Sequence, residues 1–180
     1  MNLDRATIES ALALLSEKLK AEGVTGEVCI FGGAAMVLAF DARLATRDVD
    51  AIFRPVESVR RAAESVAREL SLPENWLNDG VKGFVSANQE LVETGMPKDF
   101  SNLRVLRPSA AYLLAMKCMA ARVSGYDTGG DRDDVIFLAR HLGFTGAEQV
   151  LEIVARYYPP ERISAKTRFF VEEVIGEMQK

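Results

Sequence analysis

One stretch constrains this 180-residue chain more than any other: Cys29-Ile30-Phe31-Gly32-Gly33-Ala34-Ala35-Met36, running on to Arg43-Leu44-Ala45-Thr46-Arg47-Asp48-Val49-Asp50-Ala51-Ile52-Phe53. It reads as strand, glycine turn, short helix, strand. Val28 to Phe31 is β-branched and aromatic and stops at two glycines, and Ala34 to Phe40 has the composition of a buried helix. A helix N-terminus therefore adjoins two residues without side chains. Unpaired backbone N–H groups at such an end attract anions, and glycine lets a phosphate approach the backbone. Asp48 and Asp50 stand two apart in the second strand, so both carboxylates face one side while Val49 and Ala51 face the other. Paired carboxylates repel unless a hard cation lies between them, which suits Mg²⁺ or Mn²⁺ shared with phosphate oxygens. A phosphate cradle joined by one helix to a metal-holding acid pair points to nucleotidyl transfer.

The remainder sets the frame. Leu3 to Glu22 carries Ile8, Leu12, Leu15 and Leu19 on one helical face and ends near Gly23. Pro55 opens a second amphipathic helix that runs to about Ser71. Pro73 to Asp79 reads as a turn, and Lys82 to Ser86, Gln89 to Glu93 and Leu103 to Arg107 as short strands. From Pro108 the pattern is helical: Ser109–Val123, Arg132–Leu142, Gly146–Tyr157 and Glu161–Met178, with a loop at Gly125–Gly130. The expected organisation is an α/β core over residues 1–107, a mixed sheet with flanking helices, followed by a C-terminal helical lobe over 108–180.

Composition narrows the function classes. The chain is 48% hydrophobic and 27% charged, with a net charge of −4, which argues against coating nucleic acid through a basic stripe. Cys29 and Cys118 lie in apolar stretches without metal-ligand spacing and read as buried thiols of a reducing compartment. No apolar run reaches the roughly eighteen residues of a membrane span. The N-terminus, with Asp4, Arg5 and Glu9, does not read as a signal peptide. A cytoplasmic protein with no membrane partner is the expectation. Phosphate-loop and dinucleotide-binding glycine motifs are absent, and a lone His141 gives little material for a histidine-based relay or zinc site.

Lys117 is the most informative residue outside the central stretch. Its helical neighbours Leu113, Leu114, Ala120 and Ala121 are apolar, so its ammonium heads inward and needs an anion. That anion is either a nucleotide phosphate or a structural carboxylate. Asp134 sits among Phe137 and Leu138 and should also face inward, within reach of Lys117. Asp131 is its alternate, although acids at a helix start are favoured by the dipole in any case. Arg43, Thr46 and Arg47 flank the acid pair as phosphate contacts or loop supports. Trp76, Tyr157 and Tyr158 read as core before base-stacking surfaces.

Gly32-Gly33, a helix, then Asp48-x-Asp50 resembles the motif of the polymerase-β-like nucleotidyltransferase superfamily. The fuller string, Gly-Gly-Ala-Ala followed by Arg43-x-x-Thr46-x-Asp48-Val49-Asp50, is similar to the minimal nucleotidyltransferases of the AbiEii and MenT type, the toxin halves of bacterial toxin–antitoxin systems. The later order Lys117, Arg122, Asp131-x-x-Asp134-Val135-x-x-Leu138 resembles their helical motifs, in which a lysine and an aspartate complete the site. The resemblance implies a nucleotidyltransferase-like fold and transfer of a nucleoside monophosphate from an NTP to an acceptor hydroxyl. The acceptor would be an RNA, such as the 3′ end of a tRNA, or a protein side chain. It implies Asp48 and Asp50 as ligands of Mg²⁺ or Mn²⁺, Gly32, Gly33, Arg43, Thr46 and Lys117 as nucleotide contacts, catalytic roles for Lys117 and Asp134, and a cognate antitoxin as partner. Many members carry a third acid on a later strand. Leu103-Arg104-Val105-Leu106 lacks one, leaving Glu90 and Glu93 as candidates. The missing acid supports the alternative, a non-catalytic binding or interaction module of the same fold regulated by a partner.

Overall fold

The computed structural model describes residues 2–94, 100–121 and 130–178. The chain divides into two compact units, Met1–Gly83 with Leu91–Arg107, and Phe84–Glu90 with Pro108–Lys180. The protein is mixed α/β, with a mixed five-stranded sheet. Arg122 and the expected loop residues 125–129 lie outside the described residues.

The first unit begins with a two-residue strand, β1 (Leu3–Asp4), and helix α1 (Arg5–Ala21). Asp4 starts this helix because its carboxylate accepts from the Thr7 amide at 2.8 Å and the Thr7 hydroxyl at 2.6 Å. Ile8, Leu12, Leu15 and Leu19 are buried at the spacing of one helical face. The helix stops where Gly23 takes φ +68° and the Val24 amide turns back to the Leu19 carbonyl. Strand β2 (Gly26–Ile30) leads into α2 (Gly32–Ala39), then β3 (Ala45–Thr46), β4 (Val49–Arg54) and α3 (Val56–Glu69). β3 pairs antiparallel with β1, Thr46 opposite Leu3. Short strands β5 (Leu77–Asn78) and β6 (Leu91–Glu93) and the longer β7 (Leu103–Pro108) complete the sheet.

Sheet order is β5-β4-β2-β7-β6, with β2 antiparallel to β4 and parallel to β7, and β5 parallel to β4. α1 and α3 pack on each other, α3 lies on β4, and Leu19 of α1 and Val59 of α3 close on Gly26 of β2. Along β4, Val49, Ala51 and Phe53 are buried while Asp50 and Ile52 are half-buried, the alternation of a strand with one face on the core. Trp76 is fully enclosed, its indole N–H donating to the Ala63 carbonyl at 3.0 Å.

Three expectations change here. Lys82–Ser86 is not a strand: Gly80–Phe84 forms a 3₁₀ turn, held by the Lys82 amide on the Asp79 carbonyl and the Lys82–Asp79 ion pair. These local bonds satisfy the backbone without a neighbouring strand. The turn at Pro73–Asp79 contains the edge strand β5, fixed by the Val49 amide on the Trp76 carbonyl. Of Gln89–Glu93, only Leu91–Glu93 is strand.

The second unit is helical: α4 (Ala110–Ala120), α5 (Gly130–His141), α6 (Ala147–Tyr157) and α7 (Ala165–Met178). α4 is capped by the Ser109 hydroxyl and is buried from Tyr112 to Cys118, with α5, α6 and α7 packed around it. The expected helix Glu161–Met178 is split. A 3₁₀ turn at Pro160–Arg162 precedes α7, and the Ser164 hydroxyl accepts from the Thr167 amide at the new start. Segment 84–90 belongs to this unit through the Tyr158 hydroxyl on the Phe84 carbonyl and the Ser86 amide on the Tyr112 hydroxyl.

Candidate active site

The bend between β2 and α2 is built by two glycines with different duties. Gly32 holds φ +57°, the left-handed region that L side chains rarely adopt. A Cβ there would lie 3.0 Å from Asp50 Oδ2. Gly33 has ordinary geometry but no room: a Cβ would fall 2.6 Å from Thr46 Oγ1 and 3.4 Å from an Arg43 guanidinium nitrogen. So the first glycine seats a carboxylate and the second seats the β3 segment. Phe31, extended and without a side-chain cap for α2, donates its amide to the Asp50 carbonyl at 2.8 Å. That bond extends the β2–β4 ladder to the bend and fixes Asp50 against it.

Asp48 lies one residue ahead of β4 and is half-buried, as is Asp50. Its Oδ2 accepts from Asn78 Nδ2 at 3.1 Å. Asn78 is the β5 residue in register with Asp50, and its Oδ1 accepts from the Gly80 amide at 2.9 Å. A Cβ on Gly80 would lie 3.8 Å from Asp50 Oδ1. The Asp50 carboxylate thus lies between Gly32 and Gly80, and Asp48 is held by Asn78, the residue paired with Asp50. Sequence reasoning missed Asn78 and Gly80 because β5 is only two residues long and carries no periodic signal.

Of the candidate third acids, Glu93 does not join this pair. Glu93 is on β6, separated from β4 by β2 and β7, and pairs with Arg104. Glu90 belongs to the second unit, where it accepts from the Tyr157 hydroxyl at 2.6 Å and pairs with Arg156. Burial, together with Glu90, holds the Tyr157 phenol above its usual range. Arg47 is exposed.

In the second unit Lys117 is 8% exposed and Asp134 2%. The Lys117 ammonium lies 2.8 Å from Asp131 Oδ1 and 2.7 Å from Asp134 Oδ2. Both acids flagged by the sequence therefore reach the lysine, and the anion it requires is supplied from α5. His141 closes α5 stacked on Phe137. Burial pushes the Cys29 and Cys118 thiols up to about 12.

Among the described residues, no group of three or more His, Cys, Asp or Glu is placed to hold an ion. Two carboxylates still fit Mg²⁺ or Mn²⁺, which in phosphoryl-transfer sites take one or two carboxylates and complete their shell with phosphate oxygens and water. Oxygen donors and the absence of sulfur or imidazole also suit a hard cation. A separate cleft of about 810 Å³ beside α3 is lined by residues including Arg60, Glu64, Leu77 and Asn78, and by neither aspartate of the pair. No described helix is long and apolar enough to cross a membrane.

No family model, curated protein or solved structure matches the chain. What fold and site define is therefore a class: a mixed α/β protein whose sheet carries a half-buried aspartate against a glycine bend, with a second half-buried aspartate just ahead of the same strand.

Proposed function

We propose that this chain is a metal-dependent nucleotidyltransferase. The observation that carries the reading is the seating of the Asp50 carboxylate against Gly32, at the uncapped N-terminus of α2. Asp50 and the amide groups border one another there, so a cation on the acids and phosphates on the amides would meet. Asp48 and Asp50 would hold Mg²⁺ or Mn²⁺, which when bound neutralises phosphate charge and orients the attacking oxygen. The Gly32-Gly33 amides would take the outer phosphates, with Thr46 and Arg43 behind them. The acceptor hydroxyl oxygen bonds to the α-phosphorus, the bond to the bridging oxygen breaks, pyrophosphate leaves and the hydroxyl proton passes to water.

An RNA acceptor, the 3′ end of a tRNA among them, a toxin's role and a cognate antitoxin are the finer parts of the same proposal. The test is incubation with each labelled NTP, Mg²⁺ and total RNA or protein. Label should enter an acceptor with the wild type and not with Asp50→Ala; absence of transfer with all four nucleotides refutes the enzyme. The alternative is a non-catalytic module of the same fold, favoured by the two-carboxylate donor set. It predicts nucleotide or partner binding without incorporation.

A further inference from the structure

We propose that Asn78 is the positioning residue for Asp48, an inference that rests on the metal-site reading above. Its amide is bonded at both ends: Nδ2 donates to Asp48 Oδ2 at 3.1 Å, and Oδ1 accepts from the Gly80 amide at 2.9 Å. A flipped amide would set oxygen against carboxylate and NH₂ against N–H, so the bonding itself fixes the orientation. Register adds the second constraint, because Asn78 is the residue opposite Asp50. One side chain therefore ties the acid that lies outside the strand to the strand position of the acid within it. Asp48 has no ladder partner of its own to do this, since β4 begins at Val49.

The neighbouring acid cannot substitute. Asp79 is taken up by Lys82 and by Arg60 at 3.3 Å, which hold its carboxyl below the usual range. Charge also explains why an amide suits the position. A carboxylate at 78 would place a third negative group within about 3 Å of Asp48, and like charges so close disfavour each other's ionisation. An amide donates to Asp48 without adding charge, so the pair is ordered before a cation arrives. Outer-shell partners of this kind contribute about 10–100-fold to metal affinity.

The experiment is Mn²⁺ titration of the full chain by calorimetry, with thermal melts in parallel, on wild type, Asn78→Ala, Asn78→Asp and the control Asp79→Asn. Asn78→Ala should bind Mn²⁺ about 10-fold more weakly with circular dichroism unchanged. Asn78→Asp should melt lower than wild type without metal and gain more from Mn²⁺ than wild type does, because the third carboxylate becomes a ligand. Asp79→Asn should titrate as wild type. Binding by Asn78→Ala within two-fold of wild type, or an Mn²⁺ gain in Asn78→Asp no larger than wild type's, overturns the role of Asn78. Absence of Mn²⁺ binding by the wild type instead overturns the metal site, and Asn78's part with it.

Discussion

Replacing Gly32 by alanine probes the contact on which the proposed chemistry turns. Two costs add. The left-handed backbone at φ +57° costs a residue with a Cβ about 1 kcal/mol. The new methyl would also lie 3.0 Å from Asp50 Oδ2, and relieving such an overlap costs about 1–3 kcal/mol. Gly23 separates them, for it holds φ +68° with nothing within 4 Å of a Cβ. Gly23→Ala should therefore cost the backbone term alone, and Gly32→Ala should exceed it by about 1–3 kcal/mol. Urea unfolding followed by the single tryptophan, the fully buried Trp76, reads the first unit directly. Removing the carboxylate should remove the excess, giving a coupling of about 0.5–3 kcal/mol between Gly32→Ala and Asp50→Ala. Equal losses at the two glycines, or additive behaviour in the double variant, would show that the carboxylate is not seated at the bend.

Truncating a member of the Lys117 cluster should be costly in proportion to the burial of the contact it breaks. Lys117→Ala breaks the buried contact of its ammonium with Asp134 at 2.7 Å and should destabilise by about 3–5 kcal/mol, and Asp134→Ala should cost more than Asp131→Ala, read by circular dichroism melts. Trp76→Phe deletes the indole hydrogen bond to the Ala63 carbonyl and leaves space in a fully enclosed site, and should cost about 1–3 kcal/mol in the same assay. Both thiols should resist alkylation at pH 8 in the folded chain and react together in denaturant. Their pH signature has a definite sign: folding raises each from 9.0 to about 12, so above 9 the unfolded chain binds fewer protons than the folded one. Stability should fall as pH rises between those values; a flat profile there would count against burial of the thiols.

Much of this fold is written in local pattern. The apolar face of α1, its stop at Gly23, the glycine bend after β2, the alternation from Val49 to Phe53 and the inward set of Lys117 all follow from spacing, because they depend on residues a few positions apart. Two glycines and two aspartates, by their order and spacing alone, mark the candidate site. Tertiary structure decided what spacing cannot carry. It placed Asn78, from a two-residue strand with no periodicity, beside Asp48 and level with Asp50. It gave Glu93 to a distant strand and Glu90 to a tyrosine in the other unit, and it satisfied Gly80–Phe84 as a turn through local hydrogen bonds. Each of these outcomes depends on which strand lies beside which, and pairing between strands is set by packing across the whole sheet, not by neighbours along the chain.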